Sequence, residues 1–221
     1  MTWVKICGMT NLEDALVAVE AGADAVGFVF YEKSPRCVTV ETAREICAKL
    51  PERVEKVGVF VNASPERVFE VTKDAGLTAA QLHGDEYKNP ECFSAAGKLL
   101  FCFPMGEILH EMTEPIGGFI IPKLPKSASV LLDSGTQELR GGTGRAFGWA
   151  EARWVVVSLQ RLHSVVIAGG LTASNVEHAI GFLRPWGVDV ASGVEASPGK
   201  KDPEKVRAFV KAVRDFDRKA G

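Results

Sequence analysis

"VKICGMTNLEDALVAVEAGADAVGFVF", Val4 to Phe30, decides how the chain is built. Val4 and Ile6 read as a buried strand, and Gly8 to Asn11 as the turn that leaves it. Thr10 or Asn11 can cap the helix that follows, which has acids in its first turn and Leu12, Leu16 and Val19 at helical spacing. Gly22 stops that helix. Ala25–Phe30 is then apolar throughout, as expected of a parallel strand buried on both faces. Strand, helix and strand make one βαβ unit.

The unit repeats along the chain. Further apolar runs lie at Val57–Val61, Ala79–Leu82, Leu99–Phe103, Val130–Leu132, Val165–Ala168 and Val188–Ala191. Helices are predicted in "TVETAREICAKLP", capped by Thr39, and in "SPERVFEVTKDAGL", with Ser64 as cap and Pro65 at the first helical position. "TASNVEHAIGFLRP" and the amphipathic "KDPEKVRAFVKAVRDFDRK" supply two more. Strands alternating with helices and no break in composition predict an α/β fold, a single (β/α)8 TIM barrel, with residues 1–221 as one domain. A doubly wound open sheet is the alternative. The pattern is weakest over Met105–Lys126, where a short helix signal precedes "GGFIIP".

Composition narrows the function. The 221 residues are 46% hydrophobic, enough for one sizeable core. The net charge is −2 and the two signs are interspersed, so there is no electrostatic footprint for nucleic acid or an anionic membrane. The 5 cysteines are widely spaced and odd in number, which argues against a disulfide framework, and no CxxC or His-x-x-x-His pattern suggests zinc. The chain opens on a strand without a signal segment, and no apolar run approaches the roughly 20 residues of a membrane span. A reducing cytosol is expected, with no nucleic-acid or membrane partner.

In a barrel, function sits on the loops that follow the strands. Three of these loops carry glycine turns: Gly141-Gly142-Thr143-Gly144, Gly169-Gly170 and Ser192-Gly193. Any one could be an ordinary tight turn. Three in consecutive loops after the last strands point to a phosphate site, because glycine lets backbone N–H groups approach an anion. Asp133, after Val130–Leu132, is either a turn-capping aspartate or an acid at the barrel mouth. Cys7, by residue type, is a small hydrophobe. At a strand end facing a pocket it becomes a candidate base, provided its thiol pKa falls below the ordinary value of about 8.5. Lys5, two residues earlier on the same face, is one source of that help. Arg36 is a loop charge or a carboxylate clamp, and His83 a structural histidine or a site residue. Asp189, inside an apolar strand, needs a partner. His110, His163 and His178 read as surface residues, and Cys37, Cys47, Cys92 and Cys102 as structural ones.

Taken in order, "KICG" at 5–8, "GADAVGFVFYEKSPR" at 22–36, "VGVFVN" at 57–62, "QLHGDE" at 81–86, "LLDSG" with "GGTG" at 131–144, "AGGL" at 168–171 and "VDVASGVEASPGKKD" at 188–202 resemble the phosphoribosylanthranilate isomerase family of tryptophan biosynthesis. The resemblance runs nearly end to end. It implies a TIM barrel that performs an Amadori rearrangement of N-(5-phosphoribosyl)anthranilate, a small phosphorylated substrate. No cofactor and no metal are required. By this likeness Cys7 is the general base and Asp133 the general acid, and Arg36 holds the anthranilate carboxylate. Gly142, Gly144, Gly169, Gly170, Ser192 and Gly193 cradle the phosphate. His83 and Asp189 match motif residues facing the substrate. A monomer or a homodimer is expected. "LLFCFPMGEI" departs from the family, which usually has a lysine after its fifth strand.

Two rival functions fit the same fold. A histidine-pathway phosphoribosyl isomerase resembles this one but carries an aspartate at the end of strand one and twofold phosphate motifs. A non-catalytic phosphate-binding barrel would keep the glycine turns and need neither Cys7 nor Asp133.

Overall fold

A computed structural model describes residues 1–84, 90–105, 108, 124–133 and 149–220. Its strands are β1 (Trp3–Cys7), β2 (Ala25–Val29), β3 (Glu55–Val61), β4 (Ala79–His83), β5 (Lys98–Pro104), β6 (Ser129–Asp133), β7 (Val165–Ala168) and β8 (Gly187–Val190). They close into a barrel in chain order, every neighbouring pair parallel. The closing pair is β1 with β8, which sets Lys5 opposite Asp189. That pairing rules out the open sheet, whose first and last strands would be edges.

The helices among the described residues are α1 (Leu12–Ala21), α2 (Val40–Cys47), α3 (Pro65–Asp74), α4 (Trp149–Leu159), α5 (Val176–Leu183) and α6 (Pro203–Ala220). Their starts follow capping chemistry. Asn11 Oδ1 accepts from the Asp14 N–H at 2.8 Å, Thr39 Oγ1 from Thr42 at 3.1 Å, and Ser64 Oγ from Arg67 at 3.2 Å. α5 differs: Asn175 turns backward and accepts from the Thr172 N–H instead, and Arg184 ends the helix in the left-handed region. No helix among the described residues is long and apolar enough to cross a membrane.

Alternation along each strand sorts the core into two shells. Val4 and Ile6 face outward into the large cluster shared with the helices, while Trp3, Lys5 and Cys7 face the barrel axis. At the N-terminal end of the axis lie Trp3, Ala25, Val57 and Ala79. At the C-terminal end Cys7 packs with Val29 and Val59, under Tyr31 and Ala191. Between these layers sit polar residues: Lys5, Gln81 and Asp189 are all buried.

After β8 the chain makes a short antiparallel hairpin, β9 (Glu195–Ser197) with β10 (Lys200–Lys201), before entering α6. The sequence pattern predicts only a loop over this stretch. Thr2 Oγ1 donates to Asp217 Oδ1 at 2.7 Å, and Arg214 Nη1 donates to the Thr2 carbonyl at 2.5 Å, so α6 is fastened to the start of β1. Most of Met105–Lys126, including "GGFIIP", lies outside the described residues.

Candidate active site

Lys5 is the feature that organises the barrel interior. Its Nζ donates to Asp189 Oδ1 at 2.9 Å, and none of its side chain is exposed. Burial works against the ammonium, but Asp189 and Cys7 beside it more than compensate, so its pKa is raised. Asp189 thus has the partner that its place in an apolar strand demanded.

Cys7 lies within β1 as its last residue, rather than past the strand end, and is 7% exposed. Burial pushes its thiol pKa up. The Lys5 ammonium pulls it down and hydrogen-bonds the sulfur, Asp189 pushes up again, and Lys201 pulls down. Burial wins, so the thiol pKa lies above its ordinary value, and the fall that a base requires is not supplied by Lys5 alone. Room for sulfur and ammonium side by side comes from Gly27, where a Cβ would sit 2.7 Å from Cys7 Sγ and 3.1 Å from Lys5 Cε.

A cavity of about 280 Å³ opens at the C-terminal ends of β6, β7 and β8. It is lined by Asp133, Gly169, Gly170, Asp189, Ser192 and Gly193, with Arg36 reaching in from the loop after β2. Two larger hollows, of about 540 and 310 Å³, lie at the opposite ends of the strands and contain none of these residues. In (β/α)8 enzymes chemistry belongs to the C-terminal end, so the smaller cavity is the candidate site. Ala191 lines this cavity and also packs against the small apolar cluster of Cys7, Val29 and Val59, so that cluster adjoins the cavity.

Its glycine turns meet at close range. A Cβ on Gly193 would fall 1.8 Å from the Leu171 carbonyl oxygen, so only glycine lets the β7 and β8 loops touch. Gly169 and Gly170 both have positive φ, 90° and 63°. Ser192 and Gly193 open a single helical turn, Ser192–Val194, whose first N–H groups have no helical acceptor. Gly142 and Gly144, the third expected turn, lie outside the described residues.

Two expectations shift. His83 ends β4 but does not line the cavity; its Nε2 sits 2.7 Å from Gln81 Nε2. Burial and the Lys5 charge lower the His83 pKa against the opposing pull of Asp133 and Asp189, which keeps the ring neutral at pH 7. Arg36, expected as a bare clamp, already grips a carboxylate of the protein: Nε donates to Glu195 Oε1 at 2.8 Å and Nη2 to Oε2 at 2.6 Å. Glu195, Lys201 and Gln81 went unflagged in the sequence. Gln81 alone left a clear signal, an amide between Ala80 and Leu82 in an apolar strand.

Comparison with known proteins bears directly on this arrangement. Residues 4–212 match the family model described as N-(5'phosphoribosyl)anthranilate (PRA) isomerase. The chain belongs to that family. It is therefore an isomerase of tryptophan biosynthesis, an intramolecular oxidoreductase built as a TIM barrel. An N-(5'-phosphoribosyl)anthranilate isomerase of Rubrobacter xylanophilus is 46% identical over 215 residues, 97% of this chain and 100% of that one. A solved isomerase in complex with reduced 1-(o-carboxyphenylamino)-1-deoxyribulose 5-phosphate superposes with a TM-score of 0.78 at 38% identity, covering 97% of this chain and 100% of the other. Monomers made from the dimeric isomerase of Thermotoga maritima give 0.77 at 38% identity, with the same coverage.

Proposed function

We propose that the cavity at the C-terminal end of the barrel is where this isomerase rearranges N-(5-phosphoribosyl)anthranilate, with Asp133 as general acid and Cys7 as general base. The observation that carries this reading is that one cavity gathers Asp133, Arg36 and two glycine turns, and shares Ala191 with the apolar cluster that holds Cys7. Asp133 gives a proton to the furanose ring oxygen and the C1'–O bond breaks, leaving an open-chain Schiff base. Cys7 then takes the proton from C2', the electrons form the C1'–C2' double bond, and the imine becomes an enolamine. Protonation at C1' and loss of the O2' proton give the ketone. β7 and β8 stand between β6 and β1 in the ring, so acid and base reach the sugar from different sides.

Binding groups fall at the two ends of the substrate. The turns at Gly169-Gly170 and Ser192-Gly193, with Gly142 and Gly144, hold the phosphate through backbone N–H groups. Arg36 holds the anthranilate carboxylate. Asp189, which lines the cavity, bounds the sugar side. Anchoring both ends, remote from the reacting carbons, supplies the orientation that the proton transfers need.

The base must ionise before it acts, which makes pH the sharpest probe of Lys5 and Asp189. With Cys7 as base, kcat/KM rises with pH through the pKa of its thiol. Asp189 raises that pKa. Asp189→Asn removes the anion that opposes thiolate formation and leaves the Lys5 charge beside the sulfur, so the rising limb of the profile is expected to move to lower pH. Substituting either Lys5 or Asp189 breaks the buried ion pair at a cost of about 3–5 kcal/mol, a large part of a typical domain's 5–15 kcal/mol, but the asparagine variant keeps the side-chain shape and leaves the ammonium beside the sulfur, so it is the better probe. An unmoved limb in folded Asp189→Asn would show that the thiol does not govern the profile.

Growth of a tryptophan auxotroph lacking this step tests the reading as a whole. The wild-type gene should restore growth. Cys7→Ser and Asp133→Asn should fail while remaining folded. Rescue of a histidine auxotroph instead would favour the rival isomerase, and failure of folded wild type in both would favour a non-catalytic barrel.

We also read residues 1–221 as one domain, supported by the β1–β8 pairing and the ties between α6 and β1. Five free cysteines suit a reducing cytosol. Every residue named lies on one chain, so a monomer suffices for the chemistry. The dimeric Thermotoga maritima relative supports a homodimer, and sedimentation equilibrium at assay concentrations separates the two.

A further inference from the structure

We infer that Glu195 is a positioning residue that fixes the Arg36 guanidinium for the substrate carboxylate, and that buried Lys201 holds Glu195 in turn. This rests on Arg36 being the carboxylate anchor. Both Glu195 oxygens are spent on one edge of the guanidinium, Oε1 on Nε and Oε2 on Nη2. Such fork-to-fork pairing sets the plane of the group as well as its position. The opposite edge, Nη1 with the second Nη2 hydrogen, has no protein acceptor among the described residues, and Arg36 lines the cavity. A guanidinium can serve a carboxylate along each edge, so Glu195 aims Arg36 rather than blocking it.

Glu195 is itself immobilised from behind. Its Oε1 accepts from Lys201 Nζ at 3.0 Å and from the Gly199 N–H at 3.3 Å. Lys201 Nζ also donates to the Ala191 carbonyl at 3.2 Å, and its side chain has no exposure. The hairpin carrying both residues is pinned to the start of α1, where Asp14 Oδ2 accepts from the Lys201 N–H at 2.8 Å and Thr10 Oγ1 donates to the Gly199 carbonyl. Glu195 is thus held on β9 by contacts that continue to the β1–α1 loop beside Cys7.

Charge balance gives the cluster its selectivity. Arg36 and Lys201 are two cations sharing one anion, so the group is one positive charge in excess. A substrate carboxylate on the free edge completes it. A substrate without that carboxylate leaves the excess charge unpaired and draws nothing from the alignment of Arg36. Hairpin glue alone would serve both substrates equally.

The test compares N-(5-phosphoribosyl)anthranilate with N-(5-phosphoribosyl)aniline, which lacks the carboxylate. Glu195→Gln is expected to lower kcat/KM for the anthranilate substrate about 10- to 100-fold, mainly through KM, as misplacement of a positioning group does. For the aniline analogue the same variant should match wild type. Glu195→Asp keeps the charge on a shorter stem, and it should show the same selectivity with a smaller loss, which also covers failure of the glutamine variant to fold. Equal losses on both substrates in a folded variant would overturn the positioning role. Arg36→Met serves as the separate control. If it fails to discriminate between the substrates, the carboxylate-anchor reading falls. If Arg36→Met discriminates and the Glu195 variants do not, the positioning role alone falls.

Discussion

Cys7→Ala should lower kcat by about 10²- to 10⁴-fold, the usual share of a general base, with little change in KM. The binding groups line the cavity and Cys7 sits in the cluster that adjoins it, so its removal takes away the acceptor for the C2' proton and leaves the phosphate and carboxylate contacts in place. Stability should change little more than a small buried side chain requires. Steady-state kinetics with circular dichroism as the folding control measures both. The rate that remains should also lose its rise at alkaline pH, because the ionising thiol is gone. Wild-type kcat in folded Cys7→Ala would sink the assignment of the base.

Asp133→Asn is the second large effect. Asparagine keeps the shape but cannot give up a proton to the ring oxygen, so a loss of about 10²- to 10⁴-fold in kcat is expected. Asp133 is half-buried at the last position of β6, so the substitution should leave the barrel intact. The double variant should fall little further than the worse single one, since the two groups serve successive steps of one reaction and their losses do not add. Full additivity in log kcat would show that they act independently. If Asp133→Asn turns over normally, the acid lies elsewhere.

Strand order and the positions of Cys7 and Asp133 could be read from sequence because both depend on local patterns. Uniform apolar runs mark parallel strands, and the first polar residue after a run marks its mouth. Strand limits moved by a residue or two wherever polar residues joined the ladder, as Glu55 and Lys56 do in β3 and Asp133 in β6. What could not be read is pairing at long range. Nothing near Arg36 announces Glu195, 159 positions away. Lys200-Lys201-Asp202 looks like a solvated charge run, yet the hairpin turns Lys201 fully inward. The direction of the thiol's pKa is not legible in sequence for a related reason: burial, which opposes the charge, comes from several strands, whereas the helpful Lys5 is a neighbour in sequence.

The Lys5–Asp189 pair spans 184 positions and crosses the seam where β1 meets β8. Lys5 belongs to the first strand and meets its counter-charge only when the last strand has docked. Until then an ammonium destined for the barrel axis has no anion beside it, which disfavours drying the interior around a partial ring. Loop closure over such a distance is also among the slower steps a small domain takes. The polar layer around the thiol therefore needs both ends of the chain, and a chain cut before β8 would lack the closed ring and the counter-charge of Lys5 alike.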